Sequence, residues 1–238
     1  MINLRPEHII HKSYLNRLLI EIIDRPVLAA NLYFKGGTCA TMLGYLDRFS
    51  VDLDFDIYPA ADEAILRREF HAIVDKLDLV IAKEFDKVLM FQVKYPNDPG
   101  KRNLIKVSLN SQIVKANQYK AQYLPEIDRL MNCQTIETIF ANKLVAVLDR
   151  HKLHGTVAGR DIYDIHHFFV KGYAYSSQII TERTRLSQQD YFKKLADFIT
   201  QKVPQRTINE DLNTLLPADK FQQIRKILIP ETLAFLSQ

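Results

Sequence analysis

Cysteine is nearly missing from this sequence: 238 residues contain two, Cys39 and Cys133. Neither sits in a CxxC or Cys/His ligand spacing, so zinc is not indicated and a reducing compartment is the simple reading. Both are read as unreactive fillers. No stretch approaches the roughly 18 apolar residues of a membrane span. The first residues lack the basic segment and apolar run of a secretory signal. These absences predict a soluble cytoplasmic protein with no membrane partner. There is no internal repeat and no low-complexity tract. Charge of one sign is not in excess either: the formal net charge is only +4. That permits an anionic partner such as RNA or a nucleotide without requiring one. Glycine is scarce at seven residues, and two of them are adjacent, Gly36 and Gly37. The backbone must do something unusual there.

What is present suffices for a packed core. Hydrophobic residues make up 47% and charged residues 25%, which fits one large domain or two small ones and argues against global disorder. Apolar residues at helical spacing predict a helix from about Pro6 to Asp24, ending before Arg25-Pro26. Leu32–Phe34 is a short apolar run ending at the double glycine, and Thr38–Leu46 reads as a short helix. Val51–Ile57 alternates strictly, as a strand does. Glu63–Leu77 reads as an amphipathic helix. Val80–Ala82, Lys87–Tyr95 and Asn103–Asn110 read as strands, the last two joined by a turn over Pro96–Gly100. After Pro125 the pattern is helical: Thr135–His151, Arg160–Val170, Ser187–Lys202, Thr207–Leu215 and Ala218–Phe235. The expectation is an α+β protein, with a mixed sheet and flanking helices over residues 1–125 and a helical bundle over 126–238.

The strand Val51-Asp52-Leu53-Asp54-Phe55-Asp56-Ile57 is the most informative segment. Its apolar residues share one face and its three aspartates the other. Aspartate is a poor strand former, and carboxylates on one face resist joint ionisation. An exposed acidic face would explain an isolated Asp-x-Asp. Here Gly36-Gly37-Thr38 precedes it, between an apolar run and a helix. Such a junction leaves backbone N–H groups free for an anion, glycine permits close approach, and the Thr38 hydroxyl adds a donor. One element suits a triphosphate and the other a divalent cation bridging its phosphates, as phosphoryl and nucleotidyl transfer require.

Phe34-Lys35-Gly36-Gly37-Thr38 followed by Arg48-Phe49-Ser50-x-Asp52-Leu53-Asp54-Phe55 resembles the signature of the AbiEii/AbiGii toxin family, within the DNA-polymerase-β-like nucleotidyltransferase superfamily. The likeness extends to a helix carrying Lys143 and to Arg160-Asp161-Ile162-Tyr163-Asp164. Taken without the family, Lys143 is odd, because it shares an apolar stripe with Ile136, Phe140 and Val147 and must snorkel out or meet an anion. Asp161 and Asp164 share a helix face; Asp161 also suits a plain helix-start position. The resemblance implies a Mg²⁺- or Mn²⁺-dependent transfer of a nucleoside monophosphate from an NTP to an acceptor hydroxyl. It implies Asp52 and Asp54 as metal ligands, and Gly36, Gly37 and Thr38 as the phosphate cradle, supported by Arg48 and Ser50. Lys143, Arg160 and Asp161 would face the nucleotide, and Asp164 would be a further active-site acid. The acceptor would be tRNA, another RNA or a protein hydroxyl, and a cognate antitoxin would exist. The second domain would complete the site and offer an acceptor or partner surface. Lys193, Lys194, Lys202, Arg206, Lys220, Arg225 and Lys226 could meet RNA phosphates there, and equally form an ordinary solvated face.

One departure stands out. Many enzymes of the superfamily carry a third carboxylate on a later strand, and here Ser108 occupies that place. Asp56 or Asp164 would substitute, or base catalysis would be weak. A phosphotransferase using the same site, and a degenerate module that binds nucleotide, RNA or a partner without turnover, are the competing readings. His166 and His167 receive no role.

Overall fold

The computed structural model describes residues 6–85 and 88–238. The predicted strand start at Lys87 lies outside the described residues.

The chain divides into two compact units, 1–113 with 119–134, and 114–118 with 135–238. In the first, α1 (Pro6–Ile23) buries Leu15, Leu18, Leu19 and Ile22. It stops where Pro26 excludes further helix from the preceding residue. Pro26 then opens a short α2 (Pro26–Asn31) at its first position, where a missing N–H costs nothing. β1 (Leu32–Lys35) runs into α3 (Gly36–Met42). β2 (Leu53–Ile57) follows, and α4 (Glu63–Lys76) starts on an Asp62 cap that accepts from the N–H groups of Ala64 and Ile65. β3 (Val80–Phe85), β4 (Leu89–Lys94), β5 (Leu104–Asn110), β6 (Tyr119–Leu124) and β7 (Arg129–Gln134) complete the unit.

The seven strands form one mixed sheet in the order β3-β4-β5-β2-β1-β7-β6. β2 pairs antiparallel with β1 and parallel with β5, and β1 pairs parallel with β7. Alternation sorts the side chains onto two faces. Phe34, Leu53, Phe55, Phe91, Val107 and Cys133 are all buried on one face, where Phe70 of α4 stacks on Phe91 at 4.1 Å between ring centroids. The other face is polar at its centre: the register sets Lys35 beside Asp54 beside Ser108, and Tyr33 beside Asp56 beside Asn110. This is the mixed-sheet part of the predicted α+β fold.

Three elements of this unit escape the sequence pattern: α2 and the two strands of the β6–β7 hairpin. Pro125 does not open a helical half; it begins the turn of the β6–β7 hairpin, which belongs to the sheet. β6 is an edge strand with Lys120, Ala121 and Tyr123 exposed, so it lacks the apolar alternation by which a strand is recognised.

In the second unit α5 (Ile136–His154) is capped by the Thr135 hydroxyl and closed by Gly155 in the left-handed region. It is followed by α6 (Gly159–Val170), α7 (Ser177–Thr184), α8 (Gln188–Lys202), α9 (Gln205–Asn213) and α10 (Ala218–Leu236). Phe140, Phe168, Phe169, Tyr175, Phe192 and Phe235 form a continuous set of ring contacts at its core. Residues 114–118 belong here because the Glu182 carboxylate accepts from the N–H groups of Lys115 and Ala116. No described helix is long and apolar enough to cross a membrane.

One buried histidine ties the segment ahead of β2 to α1. His11 is 1% exposed; its Nε2 donates to the Val51 carbonyl at 2.9 Å, and Nδ1 lies 2.7 Å from the Tyr95 hydroxyl. Burial pushes its pKa down from 6.5 to about 4, with a smaller push from Arg102 and His8 and a partial offset from the Val51 bond. The folded state therefore keeps His11 neutral where the unfolded chain protonates it. This contribution to stability is complete above about pH 6.5 and is lost as pH falls towards 4, by about 3 kcal/mol over that interval. Chemical unfolding of the wild type across pH 4–7 should show that slope. His11→Asn should flatten it; an unchanged slope would mean that other groups carry the acid sensitivity.

Candidate active site

The Gly36-Gly37 turn is built around the carboxylate strand. Gly36 has φ +78°, a left-handed conformation, and a Cβ there would lie 2.7 Å from Oδ2 of Asp54. A Cβ on Gly37 would fall 2.9 Å from Ser50 Oγ and 3.0 Å from Arg48 Nη2. Both glycines are required because side chains of the Arg48–Asp54 segment occupy the space a Cβ needs. Arg48 is 3% exposed, and its Nη1 donates to the Phe49 carbonyl at 3.0 Å. Its guanidinium and Ser50 thus pack beneath Gly37.

Thr38 is 4% exposed, and its hydroxyl donates to the Asp52 carbonyl at 2.5 Å and lies 2.9 Å from Ser50 Oγ. The structure thus places that hydroxyl on the backbone of the carboxylate segment, where it braces Asp52. Asp52 lies one residue before β2 and is half-buried, as is Asp54 within it.

Asp56 behaves differently from its neighbours. Its side chain is 2% exposed. One oxygen takes Lys35 Nζ at 2.5 Å, and the other accepts from Tyr119 Oη and Gln134 Nε2, both at 2.8 Å. With three donors on its two oxygens, Asp56 is committed to contacts within the sheet in this arrangement. Nothing among the described residues closes off Asp54 in this way. Beside it, Ser108 Oγ is buried without a hydrogen-bond partner among the described residues. Such an orphaned hydroxyl is uncommon in a folded protein, and Ser108 is the position at which the sequence pattern is expected to carry a third acid.

The second unit holds a separate charged cluster. Lys143 Nζ lies 2.8 Å from Asp164 Oδ2 and 3.7 Å from Asp161 Oδ1. Arg150 Nε is 2.7 Å from Asp161 Oδ2. Both carboxylates are buried, Asp164 completely, while the Lys143 side chain is 16% exposed. Lys143 therefore reaches out of the apolar stripe on α5 to two acids of α6, one helical turn apart. Arg160 is half-buried at the start of α6 and makes none of these bonds. Arg150, two turns along α5 from Lys143, holds Asp161 instead. His166 bonds Glu231 at 2.7 Å, a packing contact between α6 and α10. Cys39 and Cys133 are both fully buried, and burial pushes the Cys39 thiol well above its ordinary pKa.

Four residues at these centres had no predicted role: Lys35, Tyr119, Gln134 and Arg150. Lys35 borders the glycine turn and faces the aspartates across one register step, which only strand pairing reveals.

Gly36→Ala tests the turn directly. A left-handed alanine costs about 1–2 kcal/mol, and relieving its contact with Asp54 forces the carboxylate to move. A displacement on the order of 1 Å at a reacting centre lowers activity about 100-fold. Gly44 is also left-handed, at φ +77°, with nothing within 4 Å of a Cβ. Gly44→Ala should therefore share the stability loss and keep the activity. Equal activity in the two variants would show that the Asp54 contact is inconsequential.

A left-handed glycine turn set against an Asp-x-Asp strand in a mixed sheet is the arrangement that the resemblance to nucleotidyltransferases implies. The chain matches the model of the AbiEii nucleotidyl transferase toxins of type IV toxin–antitoxin systems over residues 17–234, and belongs to that family. It is an enzyme of the nucleotidyltransferase class. Such a family implies an NTP substrate and a cognate antitoxin. No curated protein matches the sequence. Among solved structures, a candidate nucleotidyltransferase from H. pylori is 21% identical with a TM-score of 0.58, over 98% of each chain. JHP933 from Helicobacter pylori is 20% identical, TM-score 0.57, over 99% of this chain and 92% of that one. MenT4, a nucleotidyltransferase toxin of Mycobacterium tuberculosis, is 15% identical, TM-score 0.55, over 98% and 86%. At these identities the three attest a shared fold.

Proposed function

We propose that this protein transfers a nucleoside monophosphate from an NTP to a hydroxyl of RNA, tRNA foremost, using a divalent cation on Asp52 and Asp54. The observation that carries the reading is the fit between Gly36 and Asp54: the missing Cβ leaves the carboxylate directly against the phosphate-binding type of turn. The donors suit Mg²⁺ or Mn²⁺. They are hard oxygens, one or two carboxylates in number, with phosphate oxygens left to complete the shell. Among the described residues no cluster of three or more His, Cys, Asp or Glu forms a ready-made cage. When bound, the cation would neutralise triphosphate charge and polarise the α-phosphate.

The chain's own residues do the rest. The Gly36–Thr38 backbone receives the phosphates, and Thr38, Ser50 and Arg48 keep that backbone and Asp52 in place. Lys143 is assigned to the nucleotide's negative charge, with Asp164 and Asp161 fixing its ammonium and Arg150 fixing Asp161. Arg160 is assigned a phosphate contact in the same spirit. The acceptor oxygen forms a bond to the α-phosphorus, the bond to the bridging oxygen breaks, and pyrophosphate leaves with that electron pair. The acceptor proton passes to solvent or to a base. Asp164, fully buried on Lys143, is assigned to positioning and not to proton removal.

The experiment incubates the protein with Mg²⁺, total RNA and each NTP labelled at the α- or the γ-phosphate. Label on RNA from one α-labelled NTP supports the reading and names the nucleotide. Transfer of γ-label would identify a phosphotransferase, and α-label on protein would move the acceptor to side-chain hydroxyls.

A further inference from the structure

The lysine preceding the glycine turn has two acids within reach and takes only one. Pairing of β1 with β2 sets Lys35 directly opposite Asp54, with Asp56 two residues further on. Residues directly opposite stand about 5 Å apart at Cβ, and diagonal neighbours remain within reach of a long side chain. The Lys35 ammonium nevertheless sits on Asp56, at 2.5 Å. Asp56 cannot follow it elsewhere, because Tyr119 and Gln134 of the β6–β7 hairpin hold its second oxygen.

We infer that Asp56 is a positioning residue: anchored by Tyr119 and Gln134, it holds the Lys35 ammonium off Asp54 and so keeps Asp54 open to a divalent cation. The inference rests on the proposed metal role of Asp52 and Asp54. Its physical basis is competition. An ammonium and a divalent cation seek the same carboxylate oxygens, and Lys35 is tethered to the strand next to Asp54. Removing the charge of Asp56 leaves Asp54 as the acid directly opposite that ammonium. The pair also neutralises the inner end of the acidic face, one diagonal step from Asp54. This accounts for a third aspartate in a strand that otherwise disfavours the residue.

The test is Mn²⁺ binding to the full chain, followed by the paramagnetic resonance signal of free Mn²⁺, with thermal melting as a check on folding. Asp56→Asn keeps an oxygen for Tyr119 and Gln134 but gives the ammonium nothing. It should weaken Mn²⁺ binding about tenfold, the effect of a competing ion pair worth about 1.4 kcal/mol. Lys35→Met should bind Mn²⁺ at least as tightly as the wild type. The Lys35→Met/Asp56→Asn double variant should return to the wild-type affinity, a rescue that a purely structural role for Asp56 would not produce. Unchanged binding in Asp56→Asn overturns the inference, as does a double variant as weak as the single, or a weakened Lys35→Met. Asp54→Ala is run alongside. If it binds Mn²⁺ like the wild type, the metal role of Asp54 itself fails, whatever the Asp56 variants show.

Discussion

Asp54→Asn is expected to lower nucleotidyl transfer by about 1000-fold or more while the protein stays folded. Metal-assisted charge stabilisation is worth several kcal/mol in the transition state, and each 1.36 kcal/mol is a factor of ten in rate. Asparagine has nearly the same shape, so the Gly36 contact at Asp54 Oδ2 is preserved. Asp54 sits one pleat from Asp52 on the same strand segment, and like charges on one face disfavour each other. Thermal melting without added metal should therefore show a midpoint at or slightly above that of the wild type, the usual signature of a site kept at some cost to stability. Addition of Mn²⁺ should raise the wild-type midpoint and leave that of Asp54→Asn where it was. The assignment would not survive an Asp54→Asn protein that transfers label at more than about a tenth of the wild-type rate, because no lesser role explains this residue in that place.

Lys143→Met carries the second large effect, and this one falls on stability as well as on activity. Asp164 is fully buried and meets the Lys143 ammonium at 2.8 Å. Removing one partner of a buried ion pair costs about 3–5 kcal/mol. Asp161 is less affected because Arg150 stays beside it at 2.7 Å. Methionine fills the aliphatic part of the lysine, so the loss reports charge and not a cavity. Lys143→Met/Asp164→Asn removes both charges and should recover most of the stability, since apolar or neutral replacements of buried pairs are tolerated. Urea unfolding measures the recovery. Transfer activity should remain depressed in the double variant, because the cation assigned to the nucleotide is still missing. A double variant that regains activity together with stability would reduce Lys143 to a structural residue. The two readouts thus separate what Lys143 does for its helix pair from what it does for the reaction.

How much of this was legible in the sequence depended on the range of the interaction concerned. Gly36-Gly37, the alternation of Val51–Ile57, and the spacing of Lys143, Asp161 and Asp164 are short-range patterns. Backbone sterics, strand pleat and helical period convert them into geometry without help from the rest of the chain. The roles of Thr38 and Asp56 were not legible. The Thr38 hydroxyl turns to Asp52 because the loop after α3 folds back beneath the glycine turn. Asp56 is closed off because β7 pairs parallel with β1 and brings Gln134 to it. Arg150 and not Arg160 meets Asp161, a choice made by how α5 and α6 pack.

By itself the sequence determined the α+β class, the glycine turn and the carboxylate strand, and the helices that carry the lysine and its acids. Each of these follows from residues within about one or two turns of one another. Only the tertiary structure decided which of three equivalent-looking aspartates is enclosed and which is left open. That choice rests on a one-step offset in strand register and on a hairpin more than sixty residues away, and an edge strand writes no apolar pattern by which such a hairpin could be foreseen.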